Sequence, residues 1–315
     1  MEYRYLGKTG IYVSRLCFGS LTIGPLQANL SVSEGARLIE LALDQGVNFI
    51  DTADLYGTYP HIRQAIAQRK QKPVIASKSY DYTRDGMRES LSRALAGLDV
   101  PQVDIFLLHE QESALTLAGH REALAYLLEA KRDGLVRAVG FSCHTVAAVR
   151  AAQAMPEIDV VHPLINMKGI GIKDGTAEDM LGAIAALHQM GIGIFGMKSL
   201  GGGHLIGQNL QALEFVLSVP HLDAIAVGMA SPEEIELNCK LFAGLPLPEH
   251  LHAKIRQQKR QLLVHDWCSG CGTCIARCPQ NALRVHEDQA VVDENRCILC
   301  GYCGAHCPDF CLKIY

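Results

Sequence analysis

The chain has 315 residues, about twice the ~150 often allotted to one domain, so one large domain or two unequal ones are expected, and a core of that size needs no disulfides. Twenty-nine Lys and Arg against 33 Asp and Glu leave a net charge of −4, which excludes a general basic field for nucleic acid. The start, MEYRYLGKTG, lacks the charged-then-apolar layout of a signal peptide, and no run of about 18 apolar residues occurs to span a bilayer. A soluble cytoplasmic protein with neither a nucleic-acid nor a membrane partner is the expectation.

In chain order, YRYLGKTGIYV reads as a hairpin turning at Lys8 to Gly10 that could plug one mouth of a barrel. Eight short apolar or β-branched runs follow: SRLCFG from Ser14, VNFIDTA from Val47, VIASKS from Val74, VDIFLLH from Val103, VRAVGFS from Val136, VVHPLIN from Val160, GIFGMKS from Gly193 and AIAVG from Ala224. A stretch of helical period follows each, which signals βα units and a parallel sheet. Ser33 to Gln45 shows that period in Ala36, Ile39, Leu41, Ala42 and Leu43, with Gly46 as the stop. The seventh and eighth helices read as the shortest. Eight units in residues 1–244 match a (β/α)8 TIM barrel of about 250 residues. A doubly wound open sheet is the alternative, but no glycine fingerprint follows the first strand.

A barrel collects its chemistry where strands end. Asp51 closes the second run, Tyr56 follows in its loop, Lys78 closes the third and His109 the fourth. Singly, each has a structural reading as a turn cap, packing ring, solvated end or core imidazole. Together they make a device for delivering a proton to a carbonyl oxygen. Tyr56 is the acid, Lys78 lowers its pKa, Asp51 orients Lys78, and neutral His109 donates to the same oxygen.

NFIDTADLYG, the Lys of IASKS and the His of FLLHE, in that order on successive strands, resemble the catalytic tetrad of the aldo-keto reductase family. The resemblance runs over nearly all of residues 1–244 and includes VRAVGFS, MKSLGGG and VGMASPEEIELN. It implies an oxidoreductase that interconverts a small-molecule carbonyl and alcohol, with hydride from NADP or NAD. The implied cofactor contacts are Ser142, His162, Asn166, Met197, Lys198, Gly201, Gly202, Ser231 and Asn238.

The chain departs from the family's pattern at several of these places. Cys143 follows Ser142 where the family has Asn, His162 stands for Gln, and Met197 replaces an aromatic residue. Glu234 stands where NADP-preferring members place Arg, and Leu237 where they place Glu. An FMN in the barrel is therefore carried as an alternative cofactor. Ser231 to Glu234 is a capping box that either binds an anion or only caps a helix. Gly201 to Gly203 is either a phosphate cradle or an ordinary loop.

The last fifty or so residues have another composition, since nine of the 12 cysteines lie between Cys268 and Cys311. Cys268, Cys271, Cys274 and Cys278 have the spacing C-x2-C-x2-C-x3-C before Pro279, and Cys297, Cys300, Cys303 and Cys307 repeat it before Pro308. The repeat offset is 29 and continues through Leu283 to Leu312, Arg284 to Lys313 and Val285 to Ile314. This duplication resembles a bacterial-type two-cluster 4Fe-4S ferredoxin over residues 266–315, with 245–265 as a linker containing a short helix. Crossed ligation is then implied: Cys268, Cys271, Cys274 and Cys307 for one cluster, Cys297, Cys300, Cys303 and Cys278 for the other. Cys311 aligns with Ala282 and reads as a packed residue, while Cys17, Cys143 and Cys239 have no ligand spacing.

Lys254, Arg256, Lys259 and Arg260 in the linker are a solvated helix face or a dock for an acidic electron-transfer partner. Hydride moves as an electron pair whereas a cluster moves one electron, so the clusters serve electron transfer or structural support. The alternatives are a flavin- or ferredoxin-linked reductase using the clusters as electron entry, and a non-catalytic electron-carrier or regulatory subunit on a barrel scaffold.

Overall fold

The fold is taken from a computed structural model, which describes residues 1–249, 251 and 260–315. The chain opens on an antiparallel hairpin of β1 (Tyr3–Tyr5) and β2 (Tyr12–Ser14). Leu6, Ile11 and Val13 around its turn are fully buried against Cys17, Phe49, Ile105 and Phe195, so the hairpin seals one end of the barrel interior. Gly7 permits that approach, because a Cβ there would meet the Gly193 nitrogen at 2.4 Å and its φ is +52°.

Eight parallel strands close the barrel in chain order. They are β3 (Leu16–Gly19), β4 (Phe49–Asp51), β5 (Val74–Ser79), β6 (Val103–Gln111), β7 (Val136–Cys143), β8 (Val160–Pro163), β9 (Gly193–Gly196) and β10 (Ala224–Gly228). Each falls on one of the eight runs read from the sequence. The outer layer is α1 (Val32–Asp44), α2 (Tyr59–Ile66), α3 (Arg84–Leu98), α4 (Ala114–Gly119), α5 (Arg121–Arg132), α6 (Val146–Ala151), α7 (Ala177–Gln189), α8 (Asn209–Ser218) and α9 (Pro232–Phe242).

The local reasons are legible. Ser31 and Glu34 form a reciprocal capping box that starts α1, its buried stripe is Ala36, Leu38, Ile39 and Ala42, and Gly46 at φ +91° ends it. The shortest outer helices are α4 and α6 rather than the seventh or eighth, and a 3-10 turn at Ala152–Ala154 and then Pro156 stop the propagation of α6. Among the described residues no helix is long and apolar enough to cross a membrane.

The small C-terminal domain pairs β11 (Leu262–Val264) with β14 (Leu312–Ile314) and β12 (Leu283–His286) with β13 (Gln289–Val292). Its two short helices, α10 (Thr273–Ala276) and α11 (Tyr302–Ala305), carry the middle cysteines of the two repeats. Because β11 pairs with the last strand, the domain begins within the segment read as linker, before residue 266. The expected linker helix and Lys254, Arg256 and Lys259 lie outside the described residues.

The domain docks over the mouth where the strands end. His204 donates from Nε2 to the Leu312 carbonyl at 2.9 Å, and its imidazole lies against Gly301 and Gly304. A Cβ at Gly203 would meet the Ile314 carbonyl oxygen at 1.9 Å, so only glycine admits β14 there. The loop Gly201–Gly203, read as a possible phosphate cradle, is therefore in large part the seat of the C-terminal strand.

Candidate active site

Asp51, the last residue of β4, and Lys78, near the end of β5, face each other because the parallel register pairs Asp51 with Ala76. Lys78 donates from Nζ to Asp51 Oδ1 at 2.7 Å and to the Thr52 carbonyl at 2.8 Å. The Lys78 and Asp51 side chains are 1% and 7% exposed. On the other side His162 donates from Nδ1 to the Phe195 carbonyl at 2.5 Å, stacks on the Phe195 ring, and sets Nε2 3.7 Å from Asp51 Oδ1. Burial alone would raise the Asp51 carboxyl, but Lys78 and His162 outweigh it and hold the pKa at about 2.

Tyr56 ends a 3-10 turn, Asp54–Tyr56, and Gly57 at φ +66° lets the chain turn back. The loop is pinned where Thr58 Oγ1 lies 2.8 Å from both Thr52 Oγ1 and Ser20 Oγ. The Lys78 ammonium sits 4.9 Å from the centre of the Tyr56 ring, and His109 meets that ring edge-on at 5.9 Å. The expected lowering of the Tyr56 pKa by Lys78 does not occur. Burial, with Asp51, Glu110 and Tyr80 nearby, pushes the phenol well above its ordinary value, because Lys78 spends its charge on Asp51.

His109 is buried, and burial together with Lys78 drives its pKa well down, so the imidazole is neutral at physiological pH as expected. Sequence reasoning missed the residues around it. Tyr80 stacks on His109 at 4.2 Å. Glu110, at φ +49°, faces His144 at 3.6 Å; despite burial, His144, His109 and Lys198 hold its carboxyl at about 2. The signals were adjacency alone: Tyr80 is two residues after Lys78 and Glu110 directly follows His109.

A cavity of about 800 Å³ runs from Asp51 and Tyr56 past His162, Met197, Lys198 and Gly202 to Ser231 and Asn238. Its volume lies in the range of small-molecule and cofactor sites. Lys78 and His109 stand behind its wall, and Ser142, Asn166 and Gly201 do not line it. Ser142 Oγ accepts from the Glu110 N–H at 2.8 Å, which holds the irregular end of β6 where its register with β7 shifts. Asn166 spans its own loop, accepting from the Ile170 N–H at 3.0 Å and donating to the Ile170 carbonyl at 2.9 Å. At the far end Ser231 Oγ accepts from the Glu234 N–H at 3.2 Å, so the box does cap α9. Glu234 itself pairs with Arg260 Nη2 at 2.9 Å, a cation that comes from the C-terminal segment.

The C-terminal domain forms the rest of the cavity wall through Gln261, Lys313, Ile314 and Tyr315. Two small pockets lie within that domain. Cys268, Cys271, Cys274 and Cys307 line one, together with Cys311; Cys278, Cys297, Cys300 and Cys303 line the other. Among the described residues no group of three or more His, Cys, Asp or Glu side chains is placed to hold a single metal ion. Backbone N–H groups of Ala290 and Ala282 point at the sulfurs of Cys268 and Cys278, at 3.4 and 3.3 Å, as donors would toward cluster-bound thiolates. Ile314 lines both the second cysteine pocket and the large cavity. Cys311 is buried beside Cys307, with the two sulfurs 3.4 Å apart.

A closed eight-stranded barrel with its ionisable cluster at the strand ends, joined to a duplicated cysteine module, has the build of an oxidoreductase. Comparison with known proteins carries this further. A sequence model of the Aldo/keto reductase family matches residues 15–212, and one of a 4Fe-4S dicluster domain matches residues 262–308. The chain belongs to the aldo/keto reductase family, with a 4Fe-4S dicluster domain at its C-terminal end. It is 27% identical over 265 residues to the oxidoreductase YrpG of Bacillus subtilis, covering 76% of this chain and 79% of that one. It is 21% identical to L-galactose dehydrogenase of Arabidopsis thaliana, covering 76% and 87%. Among solved structures, the holo form of aldo-keto reductase AKR11C1 from Bacillus halodurans superposes with a TM-score of 0.66 at 19% identity, covering 82% and 96%, a likeness of fold.

Proposed function

We propose that the protein interconverts a small-molecule carbonyl and an alcohol, with Tyr56 transferring the proton and a nicotinamide, NADP or NAD, lying in the 800 Å³ cavity. The observation that carries this reading is the convergence of Asp51, Tyr56, His162 and Met197 on one cavity, beside a buried Lys78–Asp51 pair. A bound nicotinamide supplies or takes the hydride. The chain's own residues do the rest.

In the direction of reduction, neutral Tyr56 gives its proton to the carbonyl oxygen as negative charge develops there. Lys78, held by Asp51, stands under the Tyr56 ring as a cation–π contact that fixes the ring's place. Asp51 is itself held by its buried ion pair with Lys78 and so keeps Lys78 in place. Neutral His109 orients the substrate oxygen, and Tyr80 covers its ring. Met197 supplies an apolar surface for a cofactor ring, and Arg260 offsets the acid at Glu234.

For the clusters, we read Cys268, Cys271, Cys274 and Cys307 as one ligand set and Cys297, Cys300, Cys303 and Cys278 as the other, each set sharing a pocket. One observation favours a second reading of their role. Ile314 is a wall common to the second pocket and the cavity, so a one-electron donor would stand a single side chain from whatever the cavity holds. That proximity suits an FMN, which converts single electrons into pairs.

The test of the first reading is Tyr56→Phe in the iron-loaded protein. Turnover of carbonyl substrates with NADPH or NADH should vanish while the fold and the iron absorbance persist; unchanged turnover refutes Tyr56 as the proton donor. Anaerobic addition of NADH or NADPH while the iron absorbance is followed, after a check for bound flavin, separates the two readings of the clusters.

A further inference from the structure

We propose that Lys313, on the last strand of the C-terminal domain, and Lys198, just after barrel strand β9, together bind a phosphoryl group of the nucleotide in the cavity, so that the two domains share one cofactor site. This rests on the cavity being a nucleotide site.

Both lysines line the cavity, and both lie on the Phe310 ring, with Nζ 2.9 Å from its centroid for Lys313 and 5.6 Å for Lys198. Lys313 is only 4% exposed. It donates to the Phe310 carbonyl and lies on that ring. A ring face and a carbonyl oxygen are weak compensation for a buried ammonium. Each lysine has its pKa lowered by burial and by the charge of other lysines, Lys198 acting on Lys313 and Lys78 on Lys198.

Of the carboxylates around the cavity, two are already paired. Asp51 is paired with Lys78, and Glu234 with Arg260. Glu110 raises both lysines, and His144 beside it, its pKa pushed down to about 3 by burial, is neutral, so two ammonium groups face one carboxylate. Glu294 reaches the lining from an exposed position at the rim. Gly202 and Gly203 lie alongside in the same lining, and Lys198 itself adopts φ +59°, uncommon for a residue with a side chain.

The internal duplication supplies a built-in control. The repeat mate of Lys313 is Arg284, on β12, which is exposed, as is its neighbour Val285 at 41%; Ile314, the mate of Val285, is 7% exposed. The ferredoxin-like fold therefore does not require a buried cation at this place. Its burial in β14 arises only where that strand faces the barrel's cavity. An anion with two or three acceptor oxygens satisfies both ammonium groups at once.

The experiment measures equilibrium binding of inorganic pyrophosphate, NADPH and FMN by titration calorimetry on the full-length, cluster-loaded chain. Lys313→Met and Lys198→Met should each weaken pyrophosphate and the bound nucleotide about tenfold or more with iron absorbance unchanged, while Lys313→Arg should retain binding. Wild-type affinity in either methionine variant with full iron overturns the proposal. Should Lys313→Met shed iron, Lys198→Met and Lys313→Arg decide it, because full binding in the first or lost binding in an iron-replete second refutes a phosphate-binding pair. Wild-type protein that binds none of the three probes refutes the nucleotide reading and this one together, whereas nucleotide binding that survives every substitution refutes only the lysine pair.

Discussion

Replacing Lys78 by Met tests the electrostatic frame of the site. The Asp51 carboxyl lies at about 2 against an ordinary 3.8, so at 1.36 kcal/mol per unit its surroundings, the penalty of burial included, favour its charged form by a net of about 2–3 kcal/mol. Lys78→Met leaves that carboxylate buried with His162 3.7 Å away as the remaining partner, and stranding one member of a buried pair costs about 3–5 kcal/mol. Adding Asp51→Asn removes the stranded charge and should recover most of that loss while turnover stays absent. In the wild type the folded-state pKa is depressed, so the stabilisation is fully present above pH 3.8 and is lost as pH falls through about 2; in Lys78→Met the carboxyl rises and this acid limb shrinks. Urea unfolding at pH 7 by far-ultraviolet circular dichroism reads the barrel, which carries helices α1 to α9. Fluorescence of Trp267, the sole tryptophan, reads the C-terminal domain separately. A loss below about 1 kcal/mol, or a double variant no more stable than Lys78→Met, refutes the argument.

Because the Tyr56 phenol lies well above its ordinary 10, carbonyl reduction should keep its proton donor and stay level in kcat/KM into mildly alkaline pH; a Tyr56-dependent fall near neutrality contradicts the burial argument. Gly203→Ala puts a Cβ 1.9 Å from the Ile314 carbonyl and strains a φ of +94°, so Leu312–Ile314 should lose hydrogen-exchange protection while the barrel strands keep theirs; unchanged protection at β14 means the two domains are not seated through this loop. Cys307→Ser should remove the cluster assigned to Cys268, Cys271 and Cys274 and leave about half the iron, whereas loss of the Cys297 cluster instead would refute crossed ligation.

Much of the barrel is legible in the chain because each βα unit is a local code. Apolar runs of strand length, amphipathic stretches and caps such as Ser31 with Glu34 act within a few residues of one another. The same holds for the cysteine repeat, whose spacing is covalent and one-dimensional. Asp51, Tyr56, Lys78 and His109 could be picked out because a barrel gathers whatever ends its strands. Tyr80, Glu110, His144 and Arg260 could not, since their roles come from partners up to tens of residues away in sequence, such as the Arg260–Glu234 pair.

Sequence alone was enough for the eight-unit barrel, the duplicated cysteine module and the residue types at the strand ends, since those depend on period, spacing and local propensity. Only the tertiary structure decided that Gly203 seats a strand, that Asn166 serves its own loop, and that Tyr56 is raised rather than lowered. It also decided that Lys313 is buried while its repeat mate Arg284 is exposed. The physical reason is common to all of these: burial and pairing depend on what lies across the gap, and two equivalent positions of a repeat acquire different environments once one of them docks against another domain.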